Sequence, residues 1–261
     1  MNRGVLREEE VLLSGITIDD FQKSPHFYGT KVEGAVALFR EEAFFLAYSA
    51  HSLAIFEEST GHPISLPLLF AMFCRQNPRF FLRFLVYADL KARNWVIKDG
   101  FKFGSDFLLY SGSPEEVHAA LLVTILNRPP TSQLEVHPVV PPLPGHLPLS
   151  PARWTPPGPE LHDPTLGRPT WQEISTLNRL AAQVRKEALL CWVCPSDPIL
   201  WSDLKAVVDQ LAAGVQSPNP LLASGPVPLT DSLWQLFVRF SAQAAVNFMQ
   251  LKRWEPQRTR E

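Results

Sequence analysis

From residue 129 to residue 169 the chain holds 13 of its 25 prolines. Proline has no amide hydrogen and its ring blocks the preceding helical turn, so a run this dense sustains neither helix nor sheet. Little hydrophobic periodicity accompanies it, and 129–169 is expected to be an extended, disordered and mobile insertion. Whatever folds must therefore be assembled from the elements on either side. Segments such as PPLP could be ligands for a polyproline-reading domain; a tolerated surface loop is the plainer reading. His137, His146 and His162 are too far apart within it to form a metal site. A second Pro-rich loop is expected at 216–228.

Upstream of the insertion, Val11 to Tyr28 alternates enough for one or two short strands. Val36 to Phe56 is apolar all around (Phe44, Phe45, Leu46, Tyr48, Leu53, Ile55), which predicts a largely buried helix stopped by Gly61. A second helix is expected from Ser65 as N-cap, with Pro67 in its first turn, ending before Asn77 and Pro78. A third runs from Arg79 to Arg93, and His51 and His62 read as surface or turn residues.

Beyond Trp95, a short apolar strand from Phe107 to Leu109 delivers Tyr110 to its end. The cluster Ser111, Gly112, Ser113, Pro114 then reverses the chain before the apolar run Ala119 to Leu126, bringing Tyr110 and His118 to the same sheet edge. Past the insertion, Thr170 and Glu173 form a capping box, and the helical pattern Ile174, Leu177, Leu180, Ala181 stops near Val184. A strand from Ala188 to Val193 follows, so Lys186 sits at a helix-to-strand junction where an ammonium can point over a sheet edge. Taken one at a time, these three side chains are equally a packing phenol, a satisfied imidazole and a solvated lysine. Further on come a helix with Ser202 as cap, Leu204 to Ala213 as body and Gly214 as stop, then Leu233 to Phe240 as helix or strand. Val246 to Trp254 alternates as a last strand, whose exposed edge would favour a partner.

With 26 acidic and 24 basic side chains and a net charge of −2, the chain lacks the overall charge of a nucleic-acid binder. RNA contact would have to come from a local cluster or be shared with partner subunits. No run approaches the ~20 apolar residues of a membrane span, and the N-terminal residues MNRGVLREEE lack the core of a signal peptide. An intracellular protein with no membrane partner is expected. Cys191 and Cys194 are spaced C-x-x-C but fall inside a strand pattern, unlike a redox motif that opens a helix. Cys74 alone cannot complete a zinc site with them.

The blocks EEAFFLAY, NPRFFLRFLVYADLKARNWV, GFKFGSDFLLY with VHA, RLAAQVRKEALLC and QLKRW together resemble the eukaryotic tRNA-splicing endonuclease, in its catalytic subunit that cuts the 5′ splice site. The resemblance covers most of the chain, leaving out the Pro-rich middle and the region from Cys194 to about Ala244. It implies an α/β fold: a small α/β N-terminal domain over 1–82, then a catalytic domain over 83–261 interrupted at 129–169 and 216–228. That catalytic domain would be a mixed sheet flanked by helices, of restriction-endonuclease-like type. It further implies metal-independent RNA cleavage by the neighbouring ribose 2′-hydroxyl, with no cofactor, leaving a 2′,3′-cyclic phosphate and a 5′-hydroxyl.

By position, Tyr110 matches the general base, His118 the acid that protonates the departing oxygen, and Lys186 the cation beside the phosphorane. Arg179 and Trp254 match residues that hold an extruded bulge base between a guanidinium and an indole, at the site cut by the other catalytic subunit. The implied partners are intron-containing pre-tRNA, a second catalytic subunit and two structural subunits in a nuclear heterotetramer. The alternatives are the 3′-site catalytic subunit and a noncatalytic scaffold of the same complex. A metal-dependent nuclease would need clustered carboxylates, and only Asp106 stands beside the apolar runs. One departure from the family is Asn94, where its members usually carry Gly; Asn is the next best residue for the positive-φ position expected there.

Overall fold

The computed structural model describes residues 2–7, 10–14, 27–32, 35–126, 171–214 and 227–251. The insertion expected at 129–169, most of the second loop, Thr170 of the capping box and Trp254 lie outside the described residues. Two compact units emerge, one from 1–94 with 193–246 and one from 95–192 with 247–261. The architecture is the α/β one expected, with two mixed sheets and helices beside them.

The first unit begins with a strand that periodicity did not single out, β1 (Asn2–Arg7), which is antiparallel to β2 (Glu10–Ser14) and parallel to β5 (Leu53–Glu57). With β3 (Thr30–Val32) and β4 (Ala35–Leu38) the sheet runs β3-β4-β2-β1-β5. The single helix expected over 36–56 is therefore corrected to strand, helix, strand. Val36, Ala37 and Leu38 pair with β2. Helix α1 (Arg40–Phe44) continues into a π-helical turn over Phe45–Ser49, and a positive φ of 49° at His51 ends the helical path before β5. An apolar run buried all round fits helix and strand alike, and here the partner strands decide.

The next two helices follow their expected bounds: α2 (Leu66–Gln76), with Ser65 at the N-cap position and a proline in its first turn, and α3 (Phe80–Ala92). Ser65 supplies no side-chain cap bond. Asn94 takes φ 64°, the left-handed conformation anticipated for it.

Helix α5 (Pro198–Ala213; α4, Trp171–Gln183, belongs to the second unit) starts earlier than expected, because Asp197 rather than Ser202 caps it. The Asp197 carboxylate accepts from the amides of Ile199 at 2.9 Å and Leu200 at 3.2 Å. The ambiguous 233–240 run is helix α6 (Val227–Ser241), whose first two residues fall inside the span expected as loop.

In the second unit, β6 (Val96–Asp99), β7 (Phe107–Tyr110), β8 (Leu121–Ile125) and β9 (Glu187–Cys194) form a sheet that β10 (Ala245–Leu251) completes in the order β10-β9-β8-β7-β6. The β6-β7-β8 pairings are antiparallel and β8-β9 is parallel. A parallel neighbour requires a crossover, and helix α4 (Trp171–Gln183) directly precedes β9. Leu108, Leu122 and Ala188 share one face of the sheet and form a buried cluster with Ala181 of α4, against which Tyr110 and Leu251 pack.

Candidate active site

Tyr110 ends β7, half-buried against that cluster. His118 is exposed in the segment between the Ser111–Pro114 turn and β8, and Lys186 is half-buried at the end of the three-residue connection between α4 and β9. Ala120 draws the three together. Its N–H donates to the Leu109 carbonyl at 2.8 Å, and its carbonyl accepts the Glu187 N–H at 3.2 Å. Tyr110 is one residue beyond Leu109, His118 two before Ala120, and Lys186 one before Glu187. All three backbones thus leave the same end of three adjacent strands. By the two-residue period of a strand, Lys186 falls on the face of Ala188, which Tyr110 shares with Leu108.

The placement of Lys186 comes from how α4 stops. Arg185 adopts φ 55°, its amide bonds to the Ala182 carbonyl at 3.1 Å, and the Lys186 amide reaches back to Ala181 at 2.9 Å. This is the paired 5→2 and 6→1 closure of a Schellman end, and it turns the chain directly into β9. The ammonium donates to the Val184 carbonyl at 3.4 Å and lies 5.6 Å from the centre of the Phe103 ring. Tyr110 carries no such partner on its hydroxyl among the described residues, and burial pushes its phenol above the ordinary tyrosine range. A phenol so placed is a stronger base once ionised and harder to ionise in the free protein.

Arg179 is exposed on α4, among the residues leading to Lys186. Asp106 is committed to the sheet: its carboxylate accepts the Ile125 amide at 2.7 Å and its own amide bonds Val123 at 2.8 Å. Among the described residues, no group of three or more His, Cys, Asp or Glu side chains could hold a metal ion. Cys191 and Cys194 both lie in β9, and no described helix is long and apolar enough to cross a membrane. Phe103 is the residue at this spot that periodicity missed. Its signal was the alternation Phe101, Lys102, Phe103 between two glycines.

A family model described as the tRNA intron endonuclease, catalytic C-terminal domain, matches residues 80–201. Among individual proteins, the tRNA-splicing endonuclease subunit Sen2 of Mus musculus is 27% identical over 168 residues, covering 63% of this chain and 29% of its own length. The Gallus gallus protein of the same name is 29% identical over 163 residues, with shares of 60% and 28%. A tRNA-splicing endonuclease of Methanopyrus kandleri is 33% identical over 84 residues, which is 32% of this chain and 46% of that protein. The chain thus spans about 29% of the length of the mouse relative.

Proposed function

We propose that this chain, whose residues 80–201 match the tRNA intron endonuclease catalytic domain and which is similar to Sen2 subunits, is the catalytic subunit that cuts pre-tRNA at the 5′ exon-intron junction. Cleavage proceeds without metal. Tyr110 accepts the proton of the ribose 2′-hydroxyl, whose oxygen attacks the adjacent phosphorus. The bond from phosphorus to the 5′-oxygen breaks, and His118 gives that oxygen its proton. A 2′,3′-cyclic phosphate and a 5′-hydroxyl result. Lys186 offsets the charge on the non-bridging oxygens as the phosphorane forms.

The observation that carries this reading is the double hydrogen bonding of Ala120, which gathers the backbones of Tyr110, His118 and Lys186 at one sheet end. In the free protein Lys186 rests on Phe103 and Val184, so its engagement with phosphate belongs to the RNA-bound state. Arg179, with Trp254, holds an extruded bulge base at the second cleavage site. The partners are intron-containing pre-tRNA, a second catalytic subunit and two structural subunits, and the complex is nuclear.

The test is cleavage of an intron-containing pre-tRNA in EDTA by the full chain in its purified assembly, with both junctions and their end groups mapped. Tyr110→Phe and His118→Ala are expected to slow the 5′ cut by about 10²- to 10⁴-fold, the usual loss for acid-base catalysis, and to spare the 3′ cut. Loss of the 3′ cut instead would make this the other catalytic subunit. Full-rate cleavage by both variants would make it a scaffold.

A further inference from the structure

We propose that the turn Phe101–Phe103 is a contact site for an unpaired nucleobase of the RNA, with the Phe101 ring as the stacking surface and Phe103 as the positioning residue for Lys186. The proposal rests on the endonuclease reading above and locates part of the substrate on the protein. Scattered exposed apolar side chains are ordinary. Here, however, two phenylalanines of one three-residue 3₁₀ turn are 83% and 38% exposed with a lysine between them.

The turn is closed from within. Phe103 N–H bonds the Gly100 carbonyl at 2.9 Å, Gly104 N–H bonds Phe101 at 3.0 Å, and the Ser105 hydroxyl and amide both reach Gly100 at 3.2 Å. The Asp99 carboxylate holds the Phe101 amide at 3.1 Å. A Cβ on Gly100 would lie 2.7 Å from the Ser105 carbonyl oxygen and 2.8 Å from the Phe107 nitrogen, and Gly104 has φ 64°. Both glycines are therefore needed for the chain to close this tightly. A turn built this way presents its backbone already ordered, so a ligand that stacks on its rings pays little to organise the chain beneath them.

The ligand class follows from what adjoins the rings. Phe103 lies 5.6 Å from the ammonium of Lys186, within cation-π range. The patch therefore continues the site assigned to the scissile phosphate. Aromatic faces beside lysines suit a single strand, bases stacking on rings and phosphates meeting ammonium groups. The core of a protein interface is instead depleted in lysine, and Lys102 stands between the two rings.

The experiment uses the full chain in its purified assembly, carrying Tyr110→Phe to block cleavage, and an RNA with 2-aminopurine at the unpaired position beside the cut junction. Binding should quench the probe. Adding Phe101→Ala should weaken binding about 5- to 150-fold, the range for losing one base-aromatic stack, and relieve the quenching, while Phe101→Trp retains both. With Tyr110 intact, Phe103→Leu should lower kcat severalfold at unchanged KM, since it keeps the apolar bulk and loses the ring that faces the ammonium.

Binding of Phe101→Ala within twofold, with quenching intact, would overturn the proposal. So would an assembly that falls apart while its surviving fraction binds RNA normally, which would assign the turn to a protein partner. A parent protein that neither binds nor, with Tyr110 restored, cuts the RNA would remove the functional reading as well. A parent that cuts beside a Phe101→Ala variant that binds equally removes the stacking site alone.

Discussion

Arg83 and Glu41 pair with their side chains only 14% and 5% exposed, so the Glu41 carboxylate draws on Arg83 for its solvation. Removing one partner leaves a buried, uncompensated charge, which typically costs about 3–5 kcal/mol, whereas replacing both by apolar groups can be close to neutral. Arg83→Met is therefore expected to lower the unfolding free energy read from urea denaturation by that amount, and Glu41→Leu with Arg83→Met to recover most of it. Equal losses in the single and double variants would mean that packing of the arginine stem, and not the pairing, is what matters.

Tyr28 supplies a pH-linked counterpart. Burial, reinforced by the Glu42 carboxylate, raises its phenol to about 12. An unfolded tyrosine ionises near 10, so between about pH 10 and 12 the unfolded chain holds fewer protons and stability falls as pH rises. Below that window the contribution is intact. Tyr87 and Cys74 are also raised by burial, so Tyr28→Phe should lessen, and not abolish, the drop in urea midpoint between pH 9 and pH 11.5. An unchanged drop would assign the alkaline loss to the other two. None of this was legible beforehand, since pairing across 42 positions and the burial of a particular phenol are set by packing and not by local spacing.

At the scale of single elements, the helix ends separate what can be read locally from what cannot. The bounds of α2 and α3 were legible because Ser65, Pro67 and the Asn77-Pro78 step act within a turn of their own position. Asn94 at φ 64° was legible for the same reason, asparagine being the residue after glycine that best tolerates that conformation. Arg185 at φ 55° has no such signature, although the Schellman closure it makes is what aims Lys186. An L residue held there carries about 1–2 kcal/mol of strain. Arg185→Gly should raise stability by up to about 1 kcal/mol, with the unfolded-chain entropy of glycine subtracting from the gain, and Arg185→Val should lower it. Chemical denaturation of the two variants checks the sign. A valine variant as stable as the parent would mean that the turn relaxes without it. The misread 36–56 segment shows the opposite limit, because its strands exist only through β1 and β2, and the pairing of Leu53 with Asn2 or of Val36 with Leu13 leaves no mark on its own periodicity.

Over the whole molecule, the chain leaves its first unit after residue 94 and returns to it from 193 to 246. The return is built into the aromatic core. Phe44 meets Phe70, Phe80 and Phe84 from its own half of the sequence, and Trp234 and Phe237 from α6, with ring centres 4.7–6.4 Å away. Phe237 also lies 4.1 Å from Phe70. Each of the buried phenylalanines among them is a large apolar surface removed from water, and truncating one commonly costs about 3–5 kcal/mol. Phe237→Ala in the full chain should accordingly destabilise this unit as strongly as Phe44→Ala, although nearly 200 residues separate them. A fragment ending at residue 94 would expose the same faces of Phe44, Phe70 and Phe84 at once. It should melt without a cooperative transition and bind a hydrophobic dye, and adding 193–246 in trans should sharpen the melt. A cooperative melt from the fragment alone would show that α6 decorates this core and does not complete it. In the second unit, by contrast, the placement of the candidate-site backbones was legible from signals close to each residue. The local Gly-Ser-Pro turn is enough to bring the Tyr110 and His118 backbones to one sheet end, whereas the Lys186 backbone arrives at that end through the parallel pairing of β9 with β8, which a helix stopping just before a strand foreshadowed.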